Sequence, residues 1–376
     1  MSAQRSTLNA QRIIISGYYG YGNAGDEAIL AALIGGFRKL SPDARLVILS
    51  ADPEAAKDAY GVEAIPRYSL SAIWRELSRA DIFVSGGGGL LQDTTSWRSP
   101  LYYLFLLRLA RRKKLRTVAL CQGIGPLRRG WLKKIVAKTL RRLDFIDVRD
   151  EASAKLLMQM GLPEASINIS ADAVWLLDPA PKEMIEALMQ AEGVHLEKPN
   201  IGVFLRPLPG KTAAQTSGLW DIIAADLSEF LRRHGAEAVF APMQSPGDGE
   251  AAAEVAKRMS AKAHIANCAC PPAVLLGATG FFKLVVGMRL HSLIFAARMG
   301  VPPVGISYDP KVDALLAQAG LAAALSAAAP RPGALLQALE EAWNNSAEIC
   351  ARLEIVREEK REQVMGAIKM ALSTID

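Results

Sequence analysis

The sequence predicts an α/β protein of two doubly wound domains, and three observations carry that prediction. Short β-rich runs alternate with helical patterns, which is how a parallel sheet with helices on its faces reads in one dimension. The alternation occurs twice, with a proline-bearing stretch between the two series. The chain has 376 residues, enough for two domains at roughly 150 residues each.

The first series of strands is expected at Arg12 to Ser16, Arg45 to Leu49, Asp81 to Ser85, Arg116 to Leu120 and Asp144 to Val148. The second is expected at Asn200 to Leu205, Glu237 to Ala241, Ala263 to Asn267, Leu284 to Gly287 and Pro303 to Ile306. Between them, Pro179, Pro181 and Pro199 surround one short helical pattern, as in a linker. The division is therefore 1–177 for the first domain, 178–199 for the linker and 200–376 for the second domain. From about Gly333 the chain is rich in Ala, Leu, Glu and Arg without breakers, so one or two helices should close it. Two such domains facing each other leave a cleft at the carboxyl ends of their strands, where ligands of doubly wound folds bind.

Composition narrows the class. Hydrophobic residues make up 51% and charged residues 22%, the balance of a folded globular chain. No apolar run reaches the ~18 to 20 residues of a membrane span, since Leu101 to Leu107 is cut off by Arg108. The polar stretch Met1 to Arg12 leads into a short apolar run, so no signal peptide is expected and the protein is placed in the cytoplasm. Cys121, Cys268, Cys270 and Cys350 are too scattered for a disulfide scaffold and are read as reduced thiols.

The net charge of +6 is regional. Residues 101–150 carry 14 Lys and Arg against 3 Asp, a local +11 that leaves the other 326 residues at −5. Leu132, Ile135, Val136, Leu140 and Leu143 form one helical stripe, with Lys133, Lys134, Lys138, Arg141 and Arg142 on the rest of the surface. Arg111 to Lys114, Arg128 and Arg129 extend the patch beside Trp131. Such a patch suits the anionic inner face of a membrane or an acidic lipid-linked substrate; the plain alternative is a solvated helix face. Nucleic acid is not expected, because interleaved aromatics and a nucleic-acid motif are both missing.

Glycine-rich loops follow the strands. After the first comes Gly17-Tyr-Tyr-Gly20-Tyr-Gly22-Asn23-Ala-Gly25-Asp26-Glu27. Gly20, Gly22 and Gly25 satisfy the dinucleotide fingerprint by spacing, and Asp52 could serve at the end of the second strand, so a dehydrogenase is a rival reading. Against it, carboxylates at the helix N-terminus would repel a pyrophosphate. The third strand gives way to Gly86-Gly87-Gly88-Gly89, expected as a turn that leaves Gln92 and Asp93 beyond the strand end, and the fourth ends in Gln122-Gly123-Ile-Gly125-Pro126. In the second half Arg206, Arg289, Leu290, His291 and Lys311 follow strands. Arg206, Arg289 and Lys311 suit a small polyanion, and His291 suits proton transfer. His195, His234 and His264 are read as surface or core residues, and no metal-ligand spacing is present.

Taken together, the Gly17 to Glu27 loop, Gly86 to Asp93, Gln122 to Pro126, Arg149-Asp150 with Ser153, and Arg289-Leu290-His291-Ser292 resemble the polysaccharide pyruvyl transferase family, most closely its bacterial cell-wall branch. The resemblance runs from about Ile13 to Lys311. It implies a GT-B-like pair of Rossmann-like domains that uses phosphoenolpyruvate as co-substrate, with no other cofactor. Such enzymes install a pyruvate ketal across two hydroxyls of a sugar and release phosphate. In the cell-wall branch the acceptor is an N-acetylmannosamine residue on a lipid-linked precursor, and the product helps anchor surface-layer proteins.

On this reading His291 is the acid and Asp26 or Asp93 the base. Arg206, Arg289, Leu290 and Lys311 bind phosphoenolpyruvate, while Gly20, Asn23, Gly88, Gly89, Gln92 and Gln122 line the acceptor side. Whether Arg149 and Asp150 form a structural ion pair or touch substrate is open at this level. A nucleotide-sugar glycosyltransferase and a non-catalytic, membrane-associated sugar-binding protein are the rival functions.

Overall fold

The computed structural model describes residues 11–94, 96–208, 210–266, 270–318, 320–321 and 323–373. Cys268 and the expected strand end at Asn267 lie outside the described residues, as does the polar N-terminal stretch up to Ala10. The chain divides into two units. The first comprises the chain up to Tyr21, Asp26–Leu177 and the chain from Lys360; the second comprises Gly22–Gly25 and Asp178–Glu359.

In the first unit the elements run β1 (Arg12–Ser16), α1 (Ala24–Leu40), β2 (Arg45–Ser50), α2 (Pro53–Tyr60), β3 (Glu63–Pro66), α3 (Leu70–Leu77), β4 (Ile82–Leu91), α4 (Arg98–Arg112), β5 (Arg116–Ile124), α5 (Gly130–Leu140), β6 (Phe145–Val148), α6 (Glu151–Gln159) and β7 (Asn168–Ile169). The second unit holds α7 (Lys182–Ala191), β8 (Asn200–Phe204), α8 (Ala213–His234), β9 (Glu237–Phe240), α9 (Gly247–Ala256), β10 (Ala263–Ile265), α10 (Pro272–Thr279), β11 (Leu284–Gly287), α11 (Leu290–Arg298), β12 (Pro303–Ser307), α12 (Pro310–Gln318), β13 (Leu325–Ser326) and α13 (Ala334–Asn344). A last helix, α14 (Ser346–Leu372), follows.

The first sheet has the order β3-β2-β1-β4-β5-β6-β7 and the second β10-β9-β8-β11-β12-β13, with parallel pairing throughout. Apolar runs dictate this. Ile13, Ile14, Val47, Val84 and Val118 are at most 1% exposed, as strands covered on both faces require. Each sheet reverses its order once, between β1 and β4 and between β8 and β11, and such switch points open a crevice for ligands.

Three features depart from the sequence reading. The strands β3, β7 and β13 are too short or too polar at their edges to stand out in one dimension. The last turns of α14, from Lys360, belong with the first unit, where Ile368 lies against Gly36 and Arg116 donates to the carbonyls of Met370 and Ala371 at 2.9 and 3.0 Å. Finally, the glycines after Ser85 do not leave the sheet: β4 continues to Leu91 and β5 to Ile124, with irregular register at Gly88/Leu91 and Ala119/Gln122.

Candidate functional site

The switch point of the first sheet brings the β1 loop against β4. Tyr19, buried, donates its hydroxyl to the Gly86 carbonyl at 2.6 Å. A Cβ on Gly86 would lie 2.9 Å from Leu33 and one on Gly87 would lie 2.5 Å from Ile29, so these glycines let α1 pack directly on the strand. Gly88, at φ 71°, is different: a Cβ there would sit 3.1 Å from Asp26 Oδ1. The absent side chain leaves room for the Asp26 carboxylate in the first turn of α1. Gly89 is partly exposed next to it.

Several residues expected to face a ligand make contacts that build the rim. The Gly20 amide donates to Glu27 Oε1 at 2.7 Å, and Tyr60 donates to the other oxygen at 3.2 Å. Burial raises the Glu27 carboxyl, partly offset by these bonds. A partly buried carboxylate thus closes the turn at Gly20, close to where a dinucleotide pyrophosphate would have to bind, which weighs against the dehydrogenase reading. Asn23 accepts the Gly25 amide at 3.0 Å, closing the turn. Gln122 is fully buried; its carboxamide donates to the Gly88 carbonyl at 2.8 Å and accepts from Ser85 at 3.2 Å. It therefore braces the strand that carries Gly88. Gln92 accepts from the backbone and hydroxyl of Thr94.

Asp93 is held on several sides. Its buried carboxylate accepts the Arg128 and Arg129 amides at 2.7 and 3.0 Å and pairs with the Arg129 guanidinium at 3.3 Å. Burial alone would raise its carboxyl, but these donors outweigh burial and lower it. Asp93 is a clamp on the segment leading into α5, and a weak base.

Arg149 resolves likewise. It is buried, pairs with Asp172 at 2.7 Å and Asp150 at 3.4 Å, and covers Gly123, while Asp150 caps α6 through the Ser153 amide at 2.7 Å. Both side chains are thus engaged in ion pairing and capping within the first unit. Arg67, which the sequence reading passed over, is buried among Tyr18, Tyr21, Tyr68, Tyr102 and Tyr103, with its guanidinium carbon 5.0–6.0 Å from their ring centres. It donates to the Gly17 carbonyl at 3.0 Å and so fixes the start of the β1 loop.

In the second unit, the adjacent strands β8, β11 and β12 deliver Arg206, Arg289 and Lys311 at their carboxyl ends. Arg289 makes a two-pronged pair with buried Asp248, at 2.6 Å through both Nε and Nη2, and Nη2 also reaches Gln244 at 3.2 Å. Asp248 in turn accepts the Met243 and Gln244 amides at 3.1 Å each. This fork was invisible in sequence because Asp248 stands 41 residues before Arg289. Arg206 donates to the Tyr308 hydroxyl at 2.8 Å and lies over that ring. Lys311 opens α12, where its amide is received by Asp309 at 3.0 Å.

His291 lies in the first turn of α11, after Leu290, and Arg289 at the cap position makes no side-chain cap. The N-terminal amides of α11 therefore keep the anion-attracting character of a helix start. A Cβ on Gly25 would lie 2.1 Å from His291 Nδ1. Gly25 is followed in the chain by Asp26.

Spacing gave no metal ligands, yet folding brings His195, Glu237 and His264 together, with ligand atoms within 4.8 Å of one another. Lys198 at 2.8 Å and Lys262 at 3.8 Å from Glu237 already supply positive charge there. Burial would raise the Glu237 carboxyl, but Lys198, His264 and His195 prevail and hold it at about 2. Glu237 opens β9, at the sheet edge opposite Arg289.

The family model of polysaccharide pyruvyl transferase matches residues 23–310. The chain belongs to that family. No curated protein matches it by sequence. Among solved structures it resembles the UDP-GlcNAc 2-epimerase of Neisseria meningitidis bound to UDP-GlcNAc, with a TM-score of 0.63 at 10% identity over 96% of this chain and 99% of that one. HepE of Anabaena in complex with UDP-glucose gives 0.63 at 12% identity over 96% and 98%, and a glycosyltransferase of Rickettsia africae gives 0.63 at 11% over 96% and 98%. The enzyme thus has the GT-B fold, with two parallel sheets and alternating helices, and by family is a pyruvyl transferase. No described helix is long and apolar enough to cross a membrane.

Proposed function

We propose that the enzyme transfers the pyruvyl group of phosphoenolpyruvate onto two hydroxyls of a sugar, closing a ketal and releasing phosphate. The observation that carries this is the second unit's rim, where three neighbouring strands end in Arg206, Arg289 and Lys311 with His291 in the helix turn beside them. Phosphoenolpyruvate carries a carboxylate and a phosphate, and a site for it needs several cations of this kind. Asp248 holds Arg289 by Nε and Nη2 and so orients the guanidinium, as a site that must be ready before its ligand arrives requires.

The first step adds a sugar hydroxyl oxygen to C2 while C3 takes a proton, which His291 supplies. Asp26 takes the hydroxyl proton; Asp93, with both oxygens engaged by amides, is the weaker candidate. The bond from C2 to the phosphate oxygen then breaks, and Lys311 and Arg289 stabilise the departing phosphate. The second hydroxyl adds to C2, gives its proton to the His291 imidazole left deprotonated by the first step, and closes the ring. The acceptor we propose is N-acetylmannosamine in a lipid-linked cell-wall precursor, modified on the cytoplasmic side of the membrane, with a product that anchors surface-layer proteins.

Calorimetric titration tests the donor. Phosphoenolpyruvate should bind the wild type, and Lys311→Ala and Arg206→Ala should each weaken it at least roughly tenfold, the worth of one charge-assisted bond. Binding of a uridine nucleotide with none of phosphoenolpyruvate would favour a glycosyltransferase instead.

A further inference from the structure

A second site stands out in the first unit, away from the rim. The ends of α4 and α5 enclose a recess of about 360 Å³ lined by Arg108, Arg111, Arg112, Lys138 and Arg142, with Thr139, Leu107 and Leu143 beneath. All five cationic residues are exposed. Among the described residues none of them forms an ion pair: Arg108 donates to the Thr139 hydroxyl at 3.0 Å and Arg111 to the Arg142 carbonyl. The carboxylate next in the chain, Asp144, is engaged by the amide and hydroxyl of Thr117 at 2.7 and 2.8 Å. Gathering five like charges without a counter-charge costs stability by mutual repulsion, and the cost is recovered when an anion enters.

The surrounding surface identifies the anion's source. The helices α3, α4 and α5 lie on one face of the sheet, with Ile73, Leu77, Leu106 and Leu107 sharing one core and Leu104, Leu132 and Val136 the next. On the outside of this layer Trp74 is 51% exposed and Phe105 47%. The Lys113 ammonium sits 3.5 Å over the Trp74 ring. Phe105, Arg108 and Arg112 follow one another at helical spacing on α4, so an aromatic side chain stands one turn from the recess. Exposed aromatics beside unpaired arginines are what a bilayer interface with anionic headgroups binds.

We propose that this recess receives the phosphate of an anionic phospholipid headgroup, with Trp74 and Phe105 entering the interface. The site concerns where the enzyme resides and is separate from the proposed transfer chemistry, so vesicle binding can fail while turnover on a water-soluble acceptor stands, and the reverse. In sedimentation with full-length protein, vesicles containing phosphatidylglycerol should bind it and pure phosphatidylcholine vesicles should not. At about 1 kcal/mol per basic residue near an anionic surface, or about fivefold, Arg111→Gln with Arg142→Gln should weaken binding roughly 25-fold. Phe105→Ser should weaken it too, while Lys39→Gln with Lys182→Gln, on other helices, should change it little. Equal weakening by both double variants would overturn the site in favour of bulk charge. Thermal stabilisation by inorganic phosphate without vesicle binding would overturn the lipid and leave a soluble phosphate as the ligand.

Discussion

Gly25 and His291 set the tightest constraint on the chemistry. Because a Cβ on Gly25 would fall 2.1 Å from His291 Nδ1, Gly25→Ala must displace the imidazole. His291→Ala should lower turnover roughly 10² to 10⁴-fold, the range of general acid–base catalysis. Gly25→Ala should lower it as well, and the double variant should be no slower than His291→Ala, because both act through one group. Multiplying losses in steady-state rates would contradict that coupling. A buried residue outside the site gives a pH prediction. Asp147 is fully buried and accepts from the Cys121 amide, Ser170 and Asn168 at 2.8, 2.8 and 2.6 Å. Burial outweighs these bonds and raises its carboxyl to about 6. A raised carboxyl binds its proton more readily folded than unfolded, so its contribution to stability grows as pH falls through about 6 towards 4 and is lost at pH 7, a change of about 2 kcal/mol between pH 7 and 4.5. Urea unfolding of wild type and Asp147→Asn at pH 7 and 4.5 should show that difference only in the wild type.

At the level of elements, two carboxylates that look alike in sequence have separate roles. Asp93 holds the start of α5 by two backbone amides, so Asp93→Asn should cost about 1 to 3 kcal/mol of stability and retain most turnover. Asp26→Asn should do the reverse, and chemical denaturation paired with rate measurements separates them. Asp248→Ala leaves Arg289 unpaired in a largely buried setting, at a cost of about 3 to 5 kcal/mol. The same contrasts explain what could be read in advance. The strands β1, β2, β8 and β11 were legible because buried parallel strands need unbroken β-branched and apolar runs, and the rim was legible because glycines and lone polar residues follow them. Gln122 could not be assigned from sequence: whether its carboxamide meets a ligand or the Gly88 carbonyl depends on strand pairing. Asp248, Asp172 and Arg67 were missed because their partners are distant in the chain, and a single Asp or Arg carries no signal until folding supplies its neighbour.

For the molecule as a whole, both sheets repeat one order of strands, and the switch points fall at the loop that carries Gly20, Gly22 and Gly25 and at the loops that carry Arg206 and Arg289. That repetition follows from two series of alternating strands and helices, whereas the division of α14 between units does not, since an unbroken helical pattern carries no mark of where its packing partner changes. The charge is distributed as unevenly as the chemistry, with +11 in residues 101–150 on the layer proposed to meet lipid. Pyruvyl transfer from phosphoenolpyruvate to a sugar is tested by phosphate release with the mass of the saccharide product read alongside. Release that depends on a lipid-linked N-acetylmannosamine saccharide, with the acceptor gaining a pyruvyl ketal, is the predicted result; saccharide binding with neither phosphate release nor a change in mass would contradict it.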